Sequence, residues 1–179
     1  VTGIEQRKEL TDLSNRIAGM CEFEKLNFLT GNIESLIDKN EKCDIAVALH
    51  ACDTATDDAI VKSVNSNANI IVLAPCCQKY VRKKMQIPEN LKGIYKHGIM
   101  LERLAVSLTD GLRALTLEYY GYDTKVFEFI SSEHTAKNTM ITAVKKNDKN
   151  ENKLKEIECV KSEFAIDEFY LDKKMKITT

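Results

Sequence analysis

Two short apolar runs restrict the fold more than any other feature of this chain. Ile45-Ala46-Val47-Ala48-Leu49 and Ile70-Ile71-Val72-Leu73 are uninterrupted in their hydrophobicity, rich in β-branched residues and of strand length. A strand with one wet face alternates apolar and polar residues. A continuous run is expected in a parallel sheet covered on both faces. Between the two runs, Thr56 to Val64 has helical spacing, with Thr54 or Thr56 as N-cap and Asp57 and Asp58 in the first turn. Strand, helix, strand in this order is the repeating unit of an α/β fold.

The same alternation begins earlier. Val1 to Glu5 reads as a strand ending on a carboxylate, and Leu10, Leu13, Ile17 and Met20 give Arg7 to Met20 a helical period. Leu26 to Leu29 is a second short strand, punctuated by Gly31-Asn32. Ile33 to Asp38 follows as a short helix. Pro88 opens a new element, and Glu89 to Tyr120 is a long helical stretch broken near Gly98. Thr124 to Ile130 and Met140 to Val144 are strands joined by a short polar link, which predicts an antiparallel pair at the sheet edge. Lys145 to Lys155 has the composition of a solvated linker, and Glu156 to Phe164 that of a C-terminal helix. The expected division is a domain over 1–146 followed by a linker and helical extension over 147–179.

Bulk properties narrow the function classes. A chain of 179 residues can bury a full core, and a net charge of −1 supplies no global positive field, so any nucleic acid would have to meet a local basic patch. No apolar run reaches the ~18 residues of a membrane span. The six cysteines sit mostly within apolar strands and helices, as reduced thiols of a cytoplasmic protein do.

Polar clusters gather at the strand ends. In open parallel sheets ligands bind outside the carboxyl ends of the strands. Glu5 ends the first strand, Asn32 follows the second, His50 and Cys52 the third, Cys76 and Cys77 the fourth. Glu5 can accept hydrogen bonds from the two hydroxyls of a ribose, or can be a surface carboxylate at the start of the Arg7 helix. Asn32 can address an adenine edge or serve the turn. His50, Cys52, Cys76 and Cys77 invite a zinc reading. A zinc deaminase, however, needs His-x-Glu with Pro-Cys-x-x-Cys, and adjacent thiols on a strand end are expected to diverge, so the sequence argues for no metal. Vicinal cysteines also lack the spacing of a redox pair, and close packing of small thiols is the simpler reading. Glu133-His134-Thr135-Ala136-Lys137-Asn138 is either a hairpin loop or a wall over the same edge. Asp110 and Arg113, three apart in a helix, predict an intrahelical ion pair.

Taken together, Leu49-His50-Ala51-Cys52 with Thr56-Asp57, Pro75-Cys76-Cys77, Leu108-Thr109-Asp110-Gly111-Leu112-Arg113-Ala114 and the Glu133–Asn138 hexapeptide resemble one branch of the class I S-adenosylmethionine-dependent methyltransferases. This branch carries LHxCxxxTD after its fourth strand and Cys-Cys after its fifth. It includes uncharacterised bacterial members and the tRNA 2′-O-methyltransferase of the acceptor stem. The resemblance spans roughly Val1 to Lys146. It implies a Rossmann-like α/β three-layer sandwich, mostly parallel with an antiparallel edge strand, with S-adenosyl-L-methionine as cofactor.

The resemblance also implies roles. Glu5 and Gln6 would meet the ribose, Gly31, Asn32 and Ile33 the adenine, and Ala48, Leu49 and His50 the methionine and its methyl. His50, Cys76 and Cys77 are the candidate catalytic residues, His50 as base or pocket wall and the thiols shaping the acceptor pocket. Asp53, His134, Lys137 and Asn138 are candidates for the acceptor, although Asp53 stands where many relatives have glycine. The family's first strand and its Gly-x-Gly-x-Gly loop have no counterpart, since no Gly-x-Gly occurs among the seven glycines. The chain is therefore expected to be part of a longer protein, or to work with a companion segment or domain. The expected activity is methyl transfer to RNA or a small molecule, with RNA favoured and no membrane partner. Its rivals are a silent methyltransferase-like binding module and a zinc-dependent hydrolase or deaminase.

Overall fold

The computed structural model describes residues 1–33, 42–49, 51–131, 133, 135 and 137–177, which fall into two units, Val1–Glu41 and Lys42–Thr179. In the first unit, β1 (Thr2–Glu5) and β2 (Asn27–Thr30) pair in parallel, connected by α1 (Lys8–Met20). Gly3 is required there, because a Cβ at this position would stand 2.4 Å from the Phe28 ring. Asn15 of α1 reaches β2 with both amide atoms: its Nδ2 donates to the Phe28 carbonyl (2.9 Å) and its Oδ1 accepts from the Phe28 N–H (2.7 Å). A side chain thus satisfies backbone groups that no strand among the described residues covers. The helix expected from Ile33 to Asp38 lies, beyond Ile33, outside the described residues.

The second unit is built on a four-stranded sheet. β3 (Ile45–Leu49) and β4 (Ile70–Ala74) are parallel, with α2 (Thr54–Asn65) as the crossover. β5 (Tyr122–Glu128) and β6 (Thr139–Lys145) form the expected antiparallel pair, and the strand order is β3-β4-β6-β5. The antiparallel strand, β6, therefore lies one place in from the edge, hydrogen-bonded to both β4 and β5. Its return is short, so it can slot beside β4 without a crossover helix.

The core lies on one face of this sheet. Ile71 and Leu73 of β4 stand opposite Ala143 and Ile141 of β6, and all four are buried. Ile60 of α2 and Leu112 and Leu117 of the long helix are buried with them. Each large aliphatic side chain hidden in this way contributes about 1.5–3 kcal/mol. The opposite face corrects the expectation of a sheet covered on both sides: Ile45, Val47 and Leu49 are 57%, 59% and 56% exposed, and Ile70 and Val144, in register with Ile45, are exposed too. Continuous hydrophobicity here marks a face that no described residue of this unit covers.

Helices complete the second unit. α3 (Lys79–Lys84) follows the vicinal cysteines directly. A 3-10 turn (Glu89–Leu91) and α4 (Lys92–Tyr95) precede α5 (Gly98–Tyr119), and the break before Gly98 falls at His97, whose backbone is extended. α6 spans Glu151–Glu163, five residues earlier than its composition predicts. Asn150 caps it, accepting from the Asn152 N–H (3.2 Å), with Glu151 in the first turn. The charged residues taken for a linker are the helix's wet face. α7 (Tyr170–Met175) is the last helix among the described residues, and Ile157, Ile166, Phe169 and Leu171 are all buried, so residues 147–177 pack into the second unit. A buried ion pair from Lys161 to Asp172 (2.5 Å) joins α6 to α7.

The asymmetry of the sheet is testable by urea unfolding. Leu73→Ala should cost about 2–5 kcal/mol, as cavity-forming core changes do, whereas Val47→Ala on the open face should cost less than about 1 kcal/mol. Equal losses would show that both faces are covered.

Candidate functional site

The register of β3 and β4 sets up the site in the second unit. Leu49 and Ala74 are paired at the carboxyl ends of their strands, so the loops carrying Cys52 and Cys76-Cys77 leave the sheet side by side. Three sulfurs meet there. Cys52 Sγ lies 3.2 Å from Cys76 Sγ, Cys76 Sγ 3.7 Å from Cys77 Sγ, and Cys77 Sγ 4.0 Å from Cys52 Sγ. This corrects the expectation that adjacent thiols diverge. Period-two alternation holds only within a strand, and β4 has ended at Ala74, so Cys76 and Cys77 are free of it. Cys52 is exposed and the vicinal pair half-buried. Burial first, then the neighbouring Cys52 and Cys77 sulfurs, pushes the Cys76 thiol up to about 12, so at neutral pH Cys76 is neither a base nor a ready nucleophile.

Beneath the thiols lies a buried ionic cluster. Arg113 of α5 is completely buried, and it donates from Nε to Asp57 Oδ1 (2.7 Å), from Nη1 to Asp110 Oδ1 (3.1 Å) and from Nη2 to the Asp53 carbonyl (2.8 Å). Gln78 Nε2 donates to both Asp110 oxygens (3.3 and 3.2 Å), while its own Oε1 is a buried acceptor with no partner among the described residues. Burial is the dominant influence on Asp57 and Asp110 and holds both carboxyls above their ordinary range, even though Arg113 pulls the other way. The charge count agrees, because two carboxylates against one guanidinium would leave a net negative charge out of water. The Asp110–Arg113 pair is the one expected from the sequence. Asp57, Gln78 and the Asp53 carbonyl are additional partners, supplied by elements far away in the chain.

Asp53 has a backbone conformation that favours glycine. Its backbone sits at φ 53° and ψ −119°, a conformation that side chains rarely adopt. Two long-range bonds hold it there: the carbonyl accepts from Arg113, and Oδ1 accepts from the Tyr80 N–H at the start of α3 (3.1 Å). The Asp53 carboxylate thus ties the loop after β3 to the loop after β4.

In the first unit, Glu5 ends β1 with an exposed carboxylate. Its Oε1 accepts from the Arg7 N–H (3.0 Å) and from Arg7 Nε (3.3 Å), and the backbone hydrogen bond leads in holding the carboxyl below its usual range. The Gly31 N–H donates to the Glu5 carbonyl (2.9 Å), which brings the turn after β2 against the end of β1. Gly31 has φ 152°, where glycine is favoured. Glu5, Gln6 and the Gly31-Asn32-Ile33 turn therefore share the carboxyl edge of this small sheet.

The remaining predicted residues are placed as follows. His50 and His134 lie outside the described residues. Ala48 is half-buried, and Leu49 stands on the open face of the sheet. Asn138 is buried, its Nδ2 donating to the Ile130 carbonyl (2.9 Å), so it closes the β5–β6 loop. Lys137 is exposed, with Nζ 4.0 Å from Glu102. Sequence reasoning missed Gln78 and Tyr80. The signal was present in the polar Gln78 immediately after Cys-Cys, where an apolar strand had just ended.

Residues 1–84 match the profile of a family described as "Methyltransferase domain". No curated protein matches the chain significantly. Among solved structures it is similar to the YcgJ protein of Bacillus subtilis, with 11% identity, 82% of each chain covered and a TM-score of 0.44. It is also similar to the PH0226 protein of Pyrococcus horikoshii OT3, with 10% identity, 82% of this chain and 71% of that one covered, and a TM-score of 0.45. A third similarity is to the CMeT domain of the citrinin polyketide synthase, with 14% identity, 80% of this chain and 38% of that one covered, and a TM-score of 0.44.

The ionic cluster makes a signed prediction. Replacing Arg113 by Met should destabilise the fold by about 3–5 kcal/mol at neutral pH, because two buried carboxyls lose the cation that bonds them both. A carboxyl raised in the folded state contributes stability that is fully present below its unfolded pKa and lost as pH rises through the folded value. The deficit of Arg113→Met should therefore shrink as the pH is lowered into the ordinary carboxylate range. Urea unfolding of both proteins across that range checks it; a deficit independent of pH would show that packing, not charge, sets the cost.

Proposed function

We propose that this chain is part of an S-adenosylmethionine-dependent methyltransferase acting on RNA or a small molecule, with RNA favoured. The observation that carries the reading is the match of residues 1–84 to a methyltransferase domain family. The residues at the edge of the first unit fit part of the cofactor. Glu5 is ionised and solvent-accessible at the end of a strand, an acceptor for the two hydroxyls of a ribose diol, and the Gly31–Ile33 turn is tied to it by a backbone hydrogen bond. The glycine-rich cradle for the methionine half has no counterpart among the seven glycines. In this reading a further segment or companion domain supplies it. Unpaired strand edges support that step: among the described residues β1 pairs only with β2, and β3 only with β4.

When bound, the cofactor supplies a methyl group on a sulfonium, ready for in-line displacement. The chain's residues orient and shape. Glu5 and Gln6 would fix the ribose, and Asn32 with its neighbours the adenine. In the second unit, Ala48, Leu49 and His50 would line the methionine side. His50 would accept the proton of the acceptor or hold its lone pair in line. Cys76 and Cys77 would wall the acceptor pocket. Asp53 and Asn138 are committed to backbone partners, so their part is to fix the loops, while His134 and Lys137 would meet the acceptor.

The RNA preference is supported by a local basic stretch. Lys79, Arg82, Lys83 and Lys84 are exposed on α3, directly after the cysteine pair, although Arg82 is paired with Glu102 and Lys84 with Glu168. Such a patch attracts phosphate although the net charge is −1. A cytoplasmic setting belongs to the same reading. Among the described residues no helix is long and apolar enough to cross a membrane. The missing Gly-x-Gly also favours a second reading, a silent module that binds acceptor without cofactor.

Calorimetric titration of S-adenosylhomocysteine into this chain, and into the chain joined to whatever its gene encodes upstream of Val1, separates the two readings. Binding in either form is the expected result, and Glu5→Ala should weaken it by about 1–3 kcal/mol, the scale of a lost charge-assisted hydrogen bond. Binding in neither form would leave the silent module. Unchanged affinity in the variant would remove Glu5 from the site.

A further inference from the structure

We infer that Cys52, Cys76 and Cys77 form a binding site for one zinc ion, held by three thiolates, with no fourth protein ligand among the described residues. The site rests on the geometry of three sulfurs and is independent of the methyl-transfer reading. A tetrahedral zinc with bonds of about 2.3 Å to sulfur sets its thiolates about 3.8 Å apart. The three sulfur separations here, 3.2, 3.7 and 4.0 Å, bracket that value. All three ligand atoms are supplied by loops whose positions the sheet fixes: Cys52 just beyond β3, the vicinal pair just beyond β4, with the strands in parallel register to their ends. A structural disulfide would need two thiols and leave the third without purpose. Three converging thiols match what a soft-ligand cation requires.

The asymmetry of burial indicates which side is open. Cys76 and Cys77 are half-buried and Cys52 is exposed, so the unfilled tetrahedral position faces outward from the strand ends. Structural zinc sites are closed by four protein ligands, whereas a three-ligand site keeps a place for water or an incoming group. The thiolates would form three Zn–S bonds as three S–H bonds break, the protons passing to solvent, with no change of oxidation state. An ion there would polarise a water or other group taking the fourth position and lower its pKa. This differs from a zinc deaminase, which needs a glutamate two residues after its histidine ligand; Cys52 holds that place.

The test uses the 179-residue chain, reduced, stripped with a chelator and titrated separately with Zn2+ and with Co2+ as an absorbing probe. The proposal expects one ion per chain, thiolate-to-metal charge-transfer absorption with Co2+, and the same uptake in Cys159→Ser, a control at an exposed cysteine on α6. Cys52→Ser should bind roughly 100-fold more weakly or worse, beyond what loss of an outer-shell contact costs. Its exposed position should leave the fold intact, which circular dichroism verifies, and Cys77→Ser gives a second reading from a different loop. No uptake by the folded chain would overturn the site. So would uptake unchanged in both variants, or peptide mapping that shows a Cys52–Cys76 disulfide forming in preference to metal uptake. A zinc-loaded chain that binds no S-adenosylhomocysteine in any form would retain the metal site and remove the methyltransferase reading.

Discussion

Arg113 anchors the second unit's functional edge. A guanidinium without solvent contact must place its donors on fixed acceptors, and here these come from three parts of the chain: Asp57 at the start of α2, Asp110 one turn earlier on α5, and the backbone carbonyl of Asp53. The planar fork dictates the angle between these groups. The long helix is thereby pinned to the loop after β3 and to the helix that follows it. A hydrophobic contact could supply equal energy but not this geometry, since apolar packing is non-directional. Two carboxyls against one cation leave the cluster sensitive to protonation, which is why its contribution depends on pH.

From that anchor the site assembles by short steps. The Asp53 carbonyl is held by Arg113, and its carboxylate by the Tyr80 amide, so a residue in a glycine-like conformation is clamped at both ends. Backbone strain of this kind persists only where the surroundings over-determine it. Cys52 precedes Asp53, and Cys77 stands three residues before Tyr80. The bond that joins Asp53 to Tyr80 thus also fixes the separation between the loops that carry the thiols. Gln78 adds a second tie from the same loop to Asp110.

Much of this was legible in the sequence, for identifiable reasons. The two apolar runs gave β3 and β4, because β-branched continuity is a strong local signal, and the parallel register then follows from the intervening helix. The gathering of Glu5 with Gly31 and Asn32, and of Cys52 with the vicinal cysteines, followed from topology alone, since parallel strands bring their carboxyl ends to one edge. The convergence of the thiols did not, because strand alternation was extended past the point where the strand stops. Nor did the start of α6, where lysine and glutamate on the wet face masked Ile157 on the dry one. The bonds from Arg113 to Asp57 and Asp53 span more than fifty residues, and no local pattern carries information over that distance.

The thiol triangle and the ionic cluster are best understood as one device. Bringing three thiols within bonding range of a single ion costs conformational entropy, and in a flexible loop that cost would fall on the binding step. Here the ordering is already in place, fixed by hydrogen bonds to a buried cation that takes no part in ligation. The strained Asp53 is the joint between the two. Glycine there would relax the backbone but remove the carboxylate that holds Tyr80, freeing the second loop to drift from the first. Aspartate at this position therefore suits an edge that needs its two cysteine loops at a set distance, whatever group comes to occupy the space between them.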